Sequence, residues 1–458
     1  MISTIAMGEN SPPLWFRLLP ATLREKVKHR PNLLLALSNT GWLFGDKVLR
    51  MGIGLLVGVW IARYLGPEQF GLLNYAVAVV ALFGAVASVG LNGIVVRDLL
   101  NQPEAANNTL GSSFVLQILG GFVAFGLSVI AIYFLRPDDS LARLIVALLG
   151  FALVFKASDV VRYWFESQVQ SRYVVWVENG VFLVLVAFKI ALVLSAAPLM
   201  AFVWVTFAET LLVAVGLLVI YSRRSGRLAA WCTSASRIKR LLADSWPLIL
   251  SGLAVMIYMR IDQIMLGQML GDQAVGVYSA AVRISEVWYF VPTAIISSVL
   301  PAIIAARKVD PGIYLARLQK LYDILFLVAI SVAVPMSFLS GPAVALLFGD
   351  AFAGAGSILS IHIWSGVFVF LGMASSQWLI LEGHQKAILQ RTLLGAVVNI
   401  FANLIFIPSY GADGAAYATV LSYCIAVFSV GLRAETRLAY LMMGRSILFK
   451  HIFRSHHA

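Results

Sequence analysis

The chain is written in apolar runs of about twenty residues, from Leu43 to Arg433, separated by short polar connections. A run of that length covers a hydrocarbon core of about 30 Å as a helix. Twelve spans can be marked, roughly at 40–62, 72–96, 112–135, 141–163, 174–195, 199–221, 247–269, 275–299, 320–340, 358–380, 388–408 and 412–433. A soluble chain of this length would alternate apolar and polar faces instead. The pattern therefore predicts an all-α polytopic membrane protein with about 12 transmembrane helices.

No connection is long enough to hold a soluble domain. The longest, 222–246, can place Leu228, Trp231, Ile238, Leu241 and Leu242 on one helical face, with Arg237, Lys239 and Arg240 elsewhere. That pattern suits a basic helix lying on the membrane surface. The predicted organisation is a basic tail (1–36), a six-helix lobe (37–221), this linker (222–246), a second six-helix lobe (247–435) and a tail (436–458). The N-terminus has no apolar core before a small-residue cleavage site, so it does not read as a signal peptide.

A short repeat supports two lobes. "ARYLGPEQFGLLNYAVAV" follows the first span and "GQMLGDQAVGVYSAAVRI" the seventh. Leu65, Gly66 and Gly71 match Leu270, Gly271 and Gly276 at one offset of about 205 residues. Six helices per half keep two copies parallel, related by an axis along the membrane normal.

Composition agrees with the membrane reading: 60% of residues are apolar and 12% are charged, against about 25% charged in a soluble protein. The net charge of +12 raises the question of nucleic acid, and its distribution answers it. Lys and Arg gather in alternate connections: Arg17 to Arg30, Arg97, Arg162 and Arg172, Arg223 to Arg240, Arg307 to Lys320, Lys386 and Arg391, and the C-terminal tail. The other connections hold only Arg63, Arg136 and Arg143. This asymmetry predicts cytoplasmic termini and contact with anionic membrane lipids, with no role for nucleic acid.

The charges inside the spans are the chemical signal. A charge near the bilayer centre costs roughly 2.5–3.5 kcal/mol on insertion scales, and such residues face a bundle interior or a wet cavity. Here they are Asp46, Lys47, Arg50, Lys156, Asp159, Lys189, Glu209, Arg260, Asp262, Arg283 and Glu286. Asp46 with Arg50 and Arg283 with Glu286 are spaced to pair on one helix face. Local pairing explains part of the set, but Lys47, Arg50, Lys189, Arg260 and Arg283 outnumber convenient acidic partners. A cavity with surplus cations suits an anionic, phosphate-bearing ligand, because the arginine fork donates two hydrogen bonds at once. Asp46, Asp159, Glu209, Asp262 and Glu286 are candidates for charge pairing or for ion coupling.

Other features read as structure. Gly54 and Gly58 form a small-xxx-small pattern for close helix contact. Pro292, Pro301 and Pro335 are candidate kinks, and His362 is read as a packed histidine. Cys232 and Cys424 suggest neither a disulfide framework nor a metal cluster. No catalytic set, metal-ligand cluster or nucleotide loop is present, so neither an enzyme nor a cofactor is expected.

The segment Ser38–Leu99, with Arg63, Leu65, Gly66, Pro67, Gly71, Gly90 and Arg97, resembles the opening of Wzx-type polysaccharide repeat-unit flippases. These belong to the multidrug/oligosaccharidyl-lipid/polysaccharide exporter superfamily. "LLFGDAFAGAG" (Leu346–Gly356) and "LEGHQKA" (Leu381–Ala387) resemble later connections of the family. The resemblance implies two lobes that move an undecaprenyl-pyrophosphate-linked oligosaccharide across the bacterial inner membrane for O-antigen or exopolysaccharide synthesis. It leaves polysaccharide polymerase machinery as a partner to be tested. The related lipid II flippases place arginines on the first and eighth helices, where Lys47 or Arg50 and Arg283 with Glu286 stand here. They carry fourteen helices against the twelve counted here, which argues against that subgroup. Two rivals stay open: a cation-coupled drug antiporter of the same superfamily, whose site should be net acidic, and a membrane-embedded glycan polymerase or ligase, which should carry a sizeable polar outer loop.

Overall fold

The computed structural model describes the backbone from Pro31 to Leu448 and the side chains from Arg50 onward. The side chains of Asp46 and Lys47, residues 1–30 and residues 449–458, which include the terminal "HIFRSHHA", lie outside the described residues.

Among the described residues the chain is helical, without strands. In order the helices are α1 (Pro31–Leu82), α2 (Gly84–Ser88), α3 (Asn92–Asn101), α4 (Ala106–Leu135), α5 (Ser140–Phe151), α6 (Asp159–Ser167), α7 (Arg172–Leu194), α8 (Leu199–Arg224) and α9 (Ala235–Met269). They continue with α10 (Asp272–Val287), α11 (Phe290–Arg307), α12 (Pro311–Phe348), α13 (Ala355–His362), α14 (Ser365–Leu381), α15 (Gln385–Tyr410), α16 (Ala412–Phe428) and α17 (Arg437–Ile447). Among these residues 11 stretches are long and apolar enough to cross a membrane. α1 is 52 residues long and breaks at Gly66 (φ 70°, ψ 171°); its first arm covers the first predicted span, and its second arm with α2 and α3 covers the second. Large apolar side chains stand open on the outside, such as Phe134 at 85% and Phe338 at 81% exposure. That surface suits lipid and would associate in water.

The turns away from the Lys/Arg-rich end are tight. Gly66, Gly271, Gly349 and Gly411 all have positive φ, and each stands where one helix ends and the next begins. A side chain there would be strained, whereas glycine lets the chain reverse within a residue.

The apolar core is divided unevenly. One cluster joins both halves at the end with few charges, and includes Phe70, Tyr75, Ile132, Phe202, Leu266, Tyr278 and Phe348. At the Lys/Arg-rich end there are two separate clusters. One belongs to the first half and the start of α9, around Leu91, Phe165, Tyr221 and Leu241. The other belongs to the second half, around Tyr322, Phe370, Leu371 and Met443. Among the described residues the halves share one large core at the end with few charges, and at the other end the second half reaches the first half's cluster only through α9.

Two expectations are corrected. Segment 222–246 is not one surface helix. α8 runs to Arg224, a short turn covers Leu228–Ala230, and α9 begins at Ala235, capped by the Ser234 hydroxyl accepting from the Arg237 N–H. Leu228, Trp231, Ile238 and Leu241 pack into the first half's core rather than onto lipid. Arg237 is buried, with an ion pair to Asp98 at 3.5 Å and a hydrogen bond to Gln102 at 3.0 Å. Burial of those apolar side chains and the Arg237 contacts hold the segment against the first half. Likewise 436–458 is not a bare tail as far as it is described: α17 buries Ala439, Met442 and Met443, and Gln319 donates to the Met442 carbonyl at 3.1 Å.

Candidate functional site

The first half holds an open polar chamber of about 680 Å³. α1 brings Arg50, α3 brings Asn92, and the stretch from Phe155 to Tyr163 brings Lys156, Asp159 and Arg162. α7 adds Glu178, and α8 adds Thr206, Glu209 and Thr210. Arg50 pairs with Glu178 at 3.2 Å and donates from Nε to Asn179 Oδ1 at 3.2 Å. Arg162 reaches the same Glu178 at 2.5 Å and Asp159 at 3.4 Å. Lys189 pairs with Glu209 at 2.8 Å. Two guanidinium groups on one carboxylate satisfy charges that would be costly alone in this setting.

Between the halves the arrangement differs. Arg260 on α9 pairs with Glu286 on α10 at 3.6 Å. The expected pairing of Glu286 with Arg283 is therefore replaced by one between helices. Among the described residues Arg283 has no ion pair. Its guanidinium lies over the Phe70 ring at 5.5 Å and against α1 at Gly58, where a Cβ would stand 2.2 Å from a guanidinium nitrogen. Gly58 thus makes room for a cation rather than for a helix backbone, and Gly54 meets nothing within 4 Å. The small-xxx-small reading is corrected at both positions.

Asp262 on α9 sits in a third setting. It is buried, and its carboxylate accepts from Asn403 Nδ2 at 2.5 Å, Thr419 Oγ1 at 2.6 Å and Tyr278 OH at 2.9 Å. Asn399 and Ser422 extend the network at 3.1 and 3.3 Å. No cation contacts this carboxylate among the described residues. Neutral donors alone hold it, at the meeting of α9, α10, α15 and α16. His362 is a buried, packed residue, hydrogen-bonded to Ser285 at 3.0 Å with its ring edge-on to Tyr278.

Where the halves share their core, Arg136 links them. It makes two hydrogen bonds to Asp272, at 2.6 and 3.0 Å, and one to the Gly267 carbonyl at 3.1 Å. Its guanidinium lies 3.9 Å over the Tyr75 ring, whose hydroxyl accepts from Gln268 at 2.6 Å. Burial alone would lower the Arg136 pKa, but Asp272 outweighs it and holds the guanidinium above its usual value.

Sequence reasoning placed Arg162 in a connection, and passed over Glu178, Asn399 and Asn403. Glu178 was visible as a carboxylate inside a predicted span. Asn399 and Asn403 were visible as two amides four residues apart, which share a helix face.

Residues 36–306 match the family described as Polysaccharide biosynthesis protein. The chain belongs to that family. The opening helices that resemble Wzx-type flippases of the multidrug/oligosaccharidyl-lipid/polysaccharide exporter superfamily lie within the matched residues. The protein named "Probable flippase AglR" of Haloferax volcanii is 25% identical over 414 residues, covering 83% of this chain and 79% of that one. The "Lipid II flippase MurJ" of Bacillus subtilis is 24% identical over 447 residues, covering 82% of this chain and 80% of that one. A solved structure of a lipid II flippase MurJ in an inward closed conformation has a TM-score of 0.68 at 15% identity, covering 92% of this chain and 93% of that one. That last likeness is one of fold.

Proposed function

We propose that this chain carries an undecaprenyl-pyrophosphate-linked oligosaccharide repeat unit across the bacterial inner membrane by alternating access, for surface polysaccharide synthesis. Both termini and the Lys/Arg-rich end face the cytoplasm. Two six-helix halves rock about the shared outer core, and the substrate enters where the cores are separate.

The observation that carries this reading is Arg283, a partly exposed guanidinium between the halves that makes no ion pair among the described residues, its neighbour Glu286 being paired with Arg260. A pyrophosphate supplies the missing anion and uses the planar fork on both oxygens. Arg50, Lys189 and Arg260 keep secondary roles, since each already has a carboxylate. Asp262 is the coupling group: a buried carboxylate held only by neutral donors takes up a proton or a small cation when the surroundings supply one. The exposed Arg223, Arg224, Arg227, Lys239 and Arg240 meet anionic lipid, and polymerase machinery receives the product on the far side.

The test is complementation of cells whose own repeat-unit flippase is deleted. Arg283→Ala should reach the membrane at normal levels and fail to restore surface polysaccharide. Full restoration would remove Arg283 from the site.

A further inference from the structure

The predicted surplus of cations does not extend to the chamber of the first half. Three cationic side chains line it, Arg50, Lys156 and Arg162, and three acidic ones, Asp159, Glu178 and Glu209. Arg50 and Arg162 are bound to carboxylates of the same wall, and Lys189 neutralises Glu209 from beside it. Lys156 makes no ion pair among the described residues, but both guanidinium groups of the wall are already held, so a pyrophosphate would have to displace a carboxylate to gain one. What the chamber does offer is a dense set of fixed donors and acceptors at near-zero net charge. Asn92, Thr206 and Thr210 add uncharged amide and hydroxyl groups between the ion pairs. Its volume is within the roughly 300–1,000 Å³ of ordinary small-molecule sites.

The position fits a divided ligand. Arg50 in the chamber and Gly58 against Arg283 lie on the same helix, eight residues apart. At 1.5 Å per residue that is about 12 Å along α1. A ligand that bridged this distance would have its anionic part at Arg283 and its uncharged part in the chamber.

We infer that the chamber is a sugar-recognition site, which receives the hydroxyl-rich glycan while Arg283 holds the pyrophosphate. The inference rests on the flippase reading above. It makes Asn92, Asp159, Thr206, Thr210 and Glu209 specificity-determining residues. Carboxylates, hydroxyls and an amide in fixed positions reject a sugar whose hydroxyls are misplaced, because polar groups that the bound glycan covers would then go unsatisfied.

The test compares two ligands on purified protein in detergent: bare undecaprenyl pyrophosphate, and undecaprenyl pyrophosphate carrying the glycan isolated from the source cells. The wild-type protein should bind the glycan-bearing lipid more tightly. The double variant Asn92→Leu, Thr210→Val leaves every ion pair in place. It should weaken the glycan-bearing lipid by about tenfold and leave the bare lipid unchanged. Arg283→Gln should weaken both. Equal weakening of both lipids by the double variant would make the chamber a phosphate site and overturn the inference. No effect on either lipid, or a wild-type protein that does not distinguish them, would also overturn it while leaving the flippase reading intact. Binding of neither lipid by the wild-type protein would instead sink the flippase reading. Asp159→Asn, with its volume unchanged, gives a second test: the order of preference among glycans should change, and an unaltered order would contradict the assignment.

Discussion

Gly71 and Gly276 lie against each other, and at each the backbone of the other helix fills the space in which a Cβ would stand. A Cβ on Gly71 would come within 1.8 Å of the Asp272 carbonyl oxygen and 2.8 Å of the Gly276 nitrogen. A Cβ on Gly276 would come within 1.9 Å of the Pro67 carbonyl oxygen and 3.1 Å of the Gly71 nitrogen. The two glycines are matched positions of the internal repeat, as are Pro67 and Asp272. The contact is therefore reciprocal, in the way that a two-fold interface is reciprocal. It underlies the proposal of two related halves hinged at this end.

Gly71→Ala and Gly276→Ala should each destabilise the protein by about 1–3 kcal/mol or more, since the obstructing atoms are backbone and cannot rotate away. Gly54→Ala is the control, because nothing lies within 4 Å of that position. Thermal unfolding in detergent reads the difference. If all three variants melt alike, the close contact does not exist.

Arg136 closes the same end from the side. Arg136→Gln removes a bidentate pair whose partners are only 12% and 19% exposed. The loss of charge-assisted bonds worth about 1.5–3 kcal/mol should raise the population open at this end. The reporter is Ala76→Cys in a protein lacking Cys232 and Cys424, since Ala76 is fully buried in the shared core. An impermeant thiol reagent should label it faster in the Arg136→Gln background. Equal rates would show that Arg136 does not hold the seal. Changing pH in the ordinary range should not release it from the arginine side: its pKa is raised, so its contribution is lost only as pH rises through that higher value.

Gly58→Val should act on transport through Arg283. The new side chain would occupy the place of the guanidinium, which is flexible and would move aside. Folding should survive, and affinity for undecaprenyl pyrophosphate should fall by about tenfold, as for Arg283→Gln. The double variant should be no worse than either single change, because both remove the same contact. Additive losses would place Gly58 and Arg283 in separate roles.

Asp262→Asn keeps the shape of the buried side chain and removes its charge. If Asp262 is the coupling group, wild-type flipping in vesicles should accelerate under an imposed proton or sodium gradient and the variant should not respond. A variant with the wild-type response would move coupling to another residue.

Much of the membrane architecture was legible in the sequence. The length of the apolar runs gave the spans, and the alternation of Lys and Arg marked the two ends. The partners of the charges were not legible. Periodicity tells which face of a helix a residue occupies, but not which helix meets that face. Glu178 collects Arg50 from 128 residues away, and Glu286 is taken by Arg260 rather than by Arg283 on its own helix. The linker misled for a related reason: Leu228, Trp231, Ile238 and Leu241 make the same amphipathic pattern whether the apolar face meets lipid or a neighbouring core.

The central claim is transport of a lipid-linked glycan at a site built around Arg283. The most direct measurement uses proteoliposomes with a fluorescent undecaprenyl-pyrophosphate oligosaccharide and an added probe that reads only the outer leaflet. The wild-type protein should expose the inner pool with time, and Arg283→Gln should slow this at least tenfold while Gly54→Ala does not. Undiminished flipping in Arg283→Gln would remove the site. No flipping of any lipid-linked glycan, together with uptake of an organic cation, would contradict the account and make the protein a drug antiporter.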